Sequence, residues 1–271
     1  MSGAGRKGDP PPAPEPLAGS AADCHCHLEM IGAGTRESID AAVAVGITRL
    51  IDVGVSVAAS ERCAANAAEH PEVWAAVAVH PTEVGGLVDA DYHRLAELAA
   101  QPRVVAIGET GLDYHWERTS PQEQREHFRR HLDLARAAGK PVMIHDRQAH
   151  EDILEILRRD GAPAAGVVFH SFSGDAQMAR HCVERGWYLS ISGVVTFRNA
   201  PALRAAVQAA PLDALLAETD APFLTPHPYR GRPNSPYLTP WTIRAMAVEK
   251  GVAESVMCAT LERNAQRLFE W

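Results

Sequence analysis

The sequence predicts a (β/α)8 barrel, a TIM barrel, formed as a single domain. Eight short apolar runs alternate with Ala-rich or charged stretches that have helical spacing. The length of 271 residues suits one barrel, because such domains often run to roughly 250 residues. The 46% of hydrophobic residues is enough for a sizeable core. A doubly wound sheet is the alternative fold, but it usually has fewer strands.

The apolar runs and helical stretches give the order of the elements. Strands are expected at 22–27, 49–53, 73–79, 104–107, 142–145, 167–170, 188–191 and 215–217. Phe128, Leu132 and Ala135 form an apolar stripe on a helix over 122–138, and Gly139 follows where a helix end favours glycine. Two last helices, over 239–250 and 254–269, are expected to pack on the barrel.

The first 21 residues differ in composition from the rest of the chain. They are rich in Pro, Gly and Ala, and the run Pro10-Pro11-Pro12-Ala13-Pro14 lacks the backbone donors that regular structure needs. We expect a disordered tail over 1–21 and a barrel over 22–271. The tail has no apolar segment typical of a secretory signal. No apolar run approaches about 18 residues, so we expect no association with a membrane.

Charge and cysteine content limit the function classes. The net charge of -8 argues against a general basic surface for duplex DNA. A nucleic-acid substrate stays possible, because bound divalent cations would reverse the local sign. The five cysteines form no CxxC pair, which indicates reduced thiols and a cytoplasmic protein.

Metal-binding residue types stand where the predicted strands end. His25 and His27 are two residues apart, so on a strand they face the same side and can bind one metal ion. Later strands end in His80, Glu109, His145, His170, Glu218 and Asp220. Strand ends of a barrel meet at one face, where so many buried polar groups need a partner. Metal ions are the simplest partner.

Some of these positions have a structural alternative. His80 precedes Pro81 and could be a hydrogen-bonded core histidine. Glu218 fits a place behind the ligands better than a ligand position, and Asp23 could orient an imidazole. The histidines of the helical stretches are expected at the surface. They are His70, His127, His131 and His181.

Five segments resemble, in order, the signature blocks of the TatD family of metal-dependent deoxyribonucleases, within the amidohydrolase-like barrels. They are Asp23-Cys24-His25-Cys26-His27-Leu28, Ile107-Gly108-Glu109-Thr110-Gly111-Leu112-Asp113-Tyr114, Ile144-His145-Asp146-Arg147, His170-Ser171-Phe172-Ser173-Gly174 and Glu218-Thr219-Asp220-Ala221-Pro222. The resemblance covers about 22–269. It implies a binuclear site, with one ion held by His25, His27 and Asp220, the other by His145 and His170, and Glu109 bridging the two.

Two segments depart from the family's pattern. Arg198-Asn199 stands where the family usually has Lys-Asn, which keeps the charge. Asn234-Ser235-Pro236 stands where the family usually has Asn-Glu-Pro, so a carboxylate is missing at Ser235. No implied ligand is lost, which favours a working enzyme.

The residue set indicates a mechanism. Two divalent ions, Zn, Mg, Mn or Ni, would lower the pKa of a shared water, and the hydroxide would attack a phosphorus in line. Asp220 is the candidate general base and Glu109 the second catalytic residue. Candidate phosphate contacts on the rim are Arg147, Arg198, Arg230 and Arg232. Candidate base-stacking residues are Tyr114, His115, Phe172 and Phe197, of which at least two are expected only to pack the loops.

These features favour one function over two alternatives. We expect a phosphodiesterase acting on DNA, of the 3'-5' exonuclease type, on single strands or at ends, as a monomer. The first alternative is a binuclear amidohydrolase-like enzyme that cleaves a C–N or ester bond. Such enzymes often carry a carboxylated lysine, but here only Lys140 is near a strand start and Glu109 occupies the bridging position. The second is a catalytically silent barrel that binds a ligand, which should lack a metal ligand.

Overall fold

The computed structural model describes residues 8–116 and 118–271. Its eight strands are parallel and neighbour one another in chain order. They are β1 (Ala21–Cys26), β2 (Ile47–Val53), β3 (Val73–Ala76), β4 (Val104–Asp113), β5 (Val142–Arg147), β6 (Val167–Phe169), β7 (Tyr188–Ile191) and β8 (Leu215–Ala217). Cys26 pairs with Ala221 beyond the end of β8, which brings the first and last strands together. The predicted (β/α)8 barrel is therefore confirmed.

A helix follows every strand, and two follow the last one. They are α1 (Thr35–Ala44), α2 (Val57–Glu69), α3 (Asp89–Ala99), α4 (Pro121–Ala138), α5 (His150–Asp160), α6 (Ala176–Val183), α7 (Pro201–Ala209), α8 (Thr239–Lys250) and α9 (Glu254–Phe269). Within the described ranges, none of these helices is both long and apolar enough to cross a membrane.

Local sequence explains the bounds of α4. The hydroxyl of Ser120 accepts a hydrogen bond from the Glu123 backbone, and the Glu123 carboxylate accepts one from the Ser120 backbone in return. Pro121 occupies the first helical position, where a missing N–H costs nothing. Gly139 ends the helix with a left-handed φ of 63°. The expected helix over 122–138 is therefore confirmed to within one residue.

Strand β4 is longer than expected, since it runs on past Ile107 to Asp113. Glycine makes this possible by letting β4 approach β5 closely. A Cβ on Gly108 would lie 2.5 Å from the Cβ of Met143, and one on Gly111 would overlap the carbonyl oxygen of His145. The extension places Glu109 and Asp113 on a rigid strand instead of a loop.

The core packs strands against helices. Side chains of α1 to α8 join the strands in one apolar cluster, and the end of α9, with Leu268 and Phe269, joins Met143, Val168 and Leu216 in a second. His131 of α4 is fully buried within this packing. The expectation that His131 lies at the surface is therefore wrong, because its helix turns that position towards the strands.

The described part of the segment before β1, residues 8–20, contains no helix or strand, and it contacts the barrel. The Tyr237 hydroxyl donates to the carbonyl of Pro11 at 2.6 Å, and the Leu17 N–H donates to Val45 at 3.0 Å. The Ala18 N–H donates to the Glu254 carboxylate at 2.7 Å. These contacts place residues 11–18 against the barrel. Residues 1–7 of the expected tail lie outside the described residues.

Candidate metal centre

The carboxyl ends of the strands bring the six candidate ligands into one largely buried site. In three trios, one ligand atom of each residue lies within 4.8 Å of the others. The trios are His25, His27 and Asp220; His25, Glu109 and His170; and His80, Glu109 and His145. This convergence requires β1, β4, β5, β6 and β8 to end at the same face, as the barrel makes them do.

Glu109 lies at the centre of the site, and its two oxygens face different histidines. Oε1 is 2.6 Å from Nδ1 of His145 and 3.0 Å from Nε2 of His170. Oε2 is 3.5 Å from Nε2 of His25 and 3.7 Å from Nε2 of His27. A carboxylate that divides its oxygens between two imidazole pairs has the geometry of a bridging ligand.

The first pair of histidines, His25 and His27, faces Asp220. Its Oδ1 lies 3.5 Å from Nε2 of His27 and 3.9 Å from Nε2 of His25. The carbonyl of Val53 lies 2.8 Å from Nδ1 of His27 and can only accept, so Nδ1 carries the proton. Nδ1 of His25 contacts the sulfur of Met143 at 3.0 Å in the same way. In its neutral form each ring therefore has its Nε2 lone pair directed to the site, which suits metal binding.

Carboxylates bind the outer nitrogens of the second pair of histidines, His145 and His170. Nδ1 of His170 donates to Glu218 at 3.1 Å, so its Nε2, which faces Glu109, is the atom that a neutral ring would offer to a metal ion. Nε2 of His145 donates to Asp113 at 3.0 Å, so its Nδ1, which faces the same oxygen, is the atom that a neutral ring would offer to a metal ion. Such partners fix the tautomer and raise the basicity of a ligand.

Asp113 is the functional residue that the sequence reasoning missed. It follows Glu109 by four positions on β4, and that even spacing was the signal for a shared face.

The ionisable groups of the site shift one another's pKa values. Burial alone would raise the pKa of Glu109, but the surrounding imidazoles, His170 foremost, hold it well below its usual range. Burial would likewise lower the pKa of His170, yet Glu109 and Glu218 raise it well above normal. Burial and the neighbouring His170 lower the pKa of His25. A metal ion must therefore displace at least the second proton of His170, so affinity for the ion should rise with pH.

Backbone conformation aims the Asp220 carboxylate. The residue has a left-handed φ of 54°, a conformation that costs a non-glycine residue about 1–3 kcal/mol. Its N–H donates to the carbonyl of His25 at 2.9 Å, and its carbonyl accepts from Phe223 at 2.7 Å. These bonds fix the turn that directs the side chain towards His25 and His27.

Asp23 holds the adjacent backbone and does not contact an imidazole ring through its carboxylate. It accepts hydrogen bonds from the Thr219 N–H at 2.9 Å, the Thr219 hydroxyl at 2.5 Å and the His25 N–H at 3.3 Å. The expectation that Asp23 orients an imidazole is therefore wrong, because β1 directs its side chain to the turn after β8. Burial raises the pKa of Asp23 to about 7.

The loops around the mouth of the site, called the rim, contain the candidate phosphate contacts. Arg147, Arg198 and Arg230 are exposed, and the Arg230 guanidinium lies 4.5 Å from the centre of the Phe197 ring. The Tyr114 hydroxyl is already engaged, since it donates to Asp152 at 2.5 Å. Its ring is half-buried, so only part of it can contact a substrate.

The aromatic residues of the rim divide into buried and exposed ones. Phe172 and Phe197 are buried and pack the loops, which agrees with the expectation that at least two would do so. Trp116, by contrast, is 49% exposed, 4.8 Å from the His115 ring and 5.9 Å from the Arg147 guanidinium. Sequence reasoning did not single out Trp116, although it follows the Tyr114-His115 pair directly.

Comparison with known proteins agrees with this geometry. The family model described as TatD related DNase matches residues 22–270. The chain belongs to the TatD family. A Mycobacterium tuberculosis relative described as "Uncharacterized metal-dependent hydrolase TatD" is 47% identical over 259 residues, covering 91% of this chain and 97% of the relative. The crystal structure of the TatD homologue YJJV from Escherichia coli superposes with a TM-score of 0.87 at 26% identity, covering 93% and 98%.

A third relative has a more specific description. A Cronobacter turicensis protein described as "3'-5' ssDNA/RNA exonuclease TatD" is 37% identical over 238 residues, covering 86% of this chain and 90% of that protein. The present chain is thus a TatD-family metal-dependent hydrolase, and its donor set of imidazoles and carboxylates fits divalent cations.

The departure from the family's pattern at Ser235 lies beside the turn that carries Asp220, and Ser235 is not one of the clustered ligands. Ser235 is buried, and its N–H is bound by the Asn234 side chain at 3.0 Å. The Asn234 amide also donates to the carbonyl of Thr219 at 3.0 Å. In this chain the segment therefore supports the turn before Asp220 through Asn234, and that role does not require a carboxylate at 235.

Proposed function

We propose that this TatD-family hydrolase is a phosphodiesterase that degrades DNA from a strand end in the 3'-5' direction. The observation that carries the proposal is the division of the Glu109 oxygens between two imidazole pairs. Paired cations held in this way are suited to phosphodiester cleavage, because charge develops on both the attacking and the leaving oxygen.

The six converging side chains would hold two divalent ions. His25, His27 and Asp220 would hold one, His145 and His170 the other, and Glu109 would bridge them. The ions, whether Zn, Mg, Mn or Ni, would supply a water of lowered pKa and positive charge beside the scissile phosphate.

Asp220 has the properties needed to accept the proton of the attacking water. Its side chain is 13% exposed, whereas that of Glu109 is 3% exposed, so Asp220 borders the solvent at the mouth of the site. Its Oδ1 points to the same region as the Nε2 atoms of His25 and His27. Because the turn after β8 fixes this direction, Asp220 can act as the general base without rearrangement.

The rim favours a locally bound strand end over a long duplex. Exposed Arg147, Arg198 and Arg230 can contact phosphates beside the site, and the half-buried ring of Tyr114 can contact a base. The remaining surface is acidic overall, with a net charge of -8, and would repel the backbone of an extended duplex.

The structure offers little support for the C–N hydrolase alternative. Lys140 precedes β5, and its ammonium group donates to the carbonyl of Val104 at the start of β4. His145 lies five residues further along the chain, about 16 Å away at the rise of an extended strand. A carboxylated Lys140 therefore could not reach the site. The alternative of a catalytically silent barrel also has little support, because no candidate ligand is missing from the cluster.

The test is incubation of the purified protein with single-stranded DNA labelled at either end, with and without added divalent ion. A 3'-5' exonuclease should shorten a 5'-labelled strand progressively and should release a labelled mononucleotide at once from a 3'-labelled one. Both reactions should stop in a metal chelator. An amide or carboxylic-ester substrate hydrolysed faster than DNA would instead support the amidohydrolase-like alternative.

A further inference from the structure

His80 lies beside the candidate ligands, but its hydrogen bonds differ from theirs. It follows β3, is 2% exposed, and its Nε2 is 3.7 Å from Oε1 of Glu109. Its ring centre lies 4.4 Å from that of His145. By position alone His80 could be taken for a seventh ligand.

The partners of Nδ1 decide the tautomer of His80. The backbone N–H of Thr82 lies 3.2 Å from Nδ1, and a backbone N–H can only donate. Nδ1 must therefore be the acceptor, and the Thr82 hydroxyl, 2.7 Å away, can donate to the same atom. Pro81 has no N–H, so that of Thr82 is the first one of the turn and needs this acceptor. In a neutral ring the proton then resides on Nε2.

Nε2 of His80 thus carries an N–H that points into the site and has no hydrogen-bond partner among the described residues. The other four histidines of the centre differ, because Val53, Met143, Asp113 and Glu218 bind the nitrogen that faces away, so a neutral ring of each would offer a lone pair to the site. A buried N–H without an acceptor costs about 1–3 kcal/mol, so a group that arrives with the substrate should meet it.

We propose that His80 is a neutral hydrogen-bond donor to a non-bridging oxygen of the bound phosphate, and is not a metal ligand. A phosphate oxygen is an acceptor that a DNA substrate brings to this place, and charge builds on it during in-line attack. The donor costs no reorganisation at that moment, since Thr82 already fixes the ring. This inference rests on the proposed phosphodiesterase function.

The experiment compares metal and phosphate binding in wild type, His80→Leu, His80→Gln and His93→Leu by calorimetry, with Mg²⁺ and then inorganic phosphate as titrants. His80→Leu should bind Mg²⁺ as wild type does but lose about 10- to 100-fold in phosphate affinity, as for a hydrogen bond to a charged group. His80→Gln keeps an N–H near the same place and should lose less. His93→Leu removes a histidine on the exposed side of α3 and serves as the matched control, with affinity near wild type.

A second measurement uses the unmodified protein and does not depend on the folding of a variant. The ¹⁵N chemical shifts of the His80 ring, assigned with His80→Gln, should show a protonated Nε2 and an unprotonated Nδ1 with and without Mg²⁺. A protonated Nδ1 or a metal-bound Nε2 would overturn the proposal. So would reduced Mg²⁺ affinity in His80→Leu, or phosphate binding that is unaltered in His80→Leu or absent in wild type.

The outcome for the proposed function is separate. Wild type that binds phosphate through His80 but leaves DNA intact would refute the phosphodiesterase assignment and keep His80 as an oxyanion donor. Wild type that cleaves DNA while His80→Leu binds phosphate and cleaves DNA equally well would refute the role of His80 alone.

Discussion

The carboxylate of Asp113 lies 3.0 Å from Nε2 of His145, on the side of the ring away from Glu109. The other Asp113 oxygen accepts hydrogen bonds from the backbone of His115 at 2.9 Å and Trp116 at 3.0 Å, so the carboxylate cannot rotate freely. Burial lowers the pKa of an imidazole, but the bonds of His145 to Asp113 and Glu109 raise it. Asp113 thus determines which nitrogen of His145 is available to a metal ion.

Asp113→Asn should reverse this tautomer. The Asn oxygen would stay with the two backbone N–H groups, so its amide would donate to Nε2 and force the proton onto Nδ1, the atom that faces Glu109. We expect about 10- to 100-fold weaker binding of metal at the second site. Metal titration monitored by calorimetry checks this. Asp152→Asn, whose carboxylate binds Tyr114 and Arg125 on the outside, is the matched control. Equal metal affinity in Asp113→Asn and wild type would contradict the tautomer argument.

Asp220→Asn and His25→Ala should fail in different ways. His25→Ala weakens one metal site, so excess metal should partly restore its nuclease rate. Asp220→Asn keeps one oxygen ligand but loses the charge and most of the basicity, which typically costs about 10²–10⁴-fold in rate. The measurement is nuclease rate against metal concentration, with bound metal determined alongside. If Asp220→Asn regains near wild-type rate at saturating metal, Asp220 is a ligand only.

His131 should make the protein sensitive to acid. Its Nε2 accepts from the Val79 N–H at 3.2 Å and its Nδ1 donates to the carbonyl of His127 at 2.8 Å, so the buried ring must stay neutral. Burial lowers its pKa to about 4 from an ordinary value of 6.5. Below pH 6.5, His131 binds a proton in the unfolded chain but not in the folded protein. The neutral His131 ring therefore contributes its full share of the free energy of unfolding above pH 6.5. This share, about 3 kcal/mol, is lost as the pH falls towards 4.

Denaturant unfolding of metal-free protein between pH 4 and pH 7 measures this loss. His131→Gln retains a donor and an acceptor but does not titrate, so its stability should fall less steeply across this range. His93→Gln, on the exposed side of α3, controls for removal of a histidine. Identical slopes for wild type and His131→Gln would show that other groups cause the acid sensitivity.

The substrate prediction depends on the rim. Trp116→Ala removes an exposed ring beside Arg147 and should weaken single-stranded DNA binding about 5- to 100-fold, the range for one base-stacking contact. Phe172→Leu, a buried substitution, should leave affinity for DNA unchanged in protein that stays folded. Fluorescence anisotropy with a labelled oligonucleotide measures both. Rapid nicking of closed circular duplex, with no preference for ends, would contradict the end-directed function.

Sequence periodicity alone determined the barrel and its order of elements. Each strand is a short apolar run, and each helix carries an apolar stripe such as Phe128, Leu132 and Ala135. The residues that the local pattern predicts to be buried are therefore the ones that the fold buries. The metal-binding residue types were also visible, because a parallel barrel brings every strand end to one face and the histidines stand at those ends. His25 and His27 needed only the two-residue period of a strand.

The tertiary structure decided which nitrogen each histidine presents and which residues set it. Val53, Asp113 and Glu218 are distant in sequence from the imidazoles that they orient, and nothing in a local pattern encodes a hydrogen bond across strands. Asp23 turned out to bind Thr219, and His131 turned out to be buried, because the direction of a side chain depends on what packs opposite it. Sequence placed His80 among the possible ligands, whereas the backbone N–H of Thr82 makes it a donor. That contact is local, two residues along the turn, and the tertiary structure decides only that Nε2 then faces Glu109.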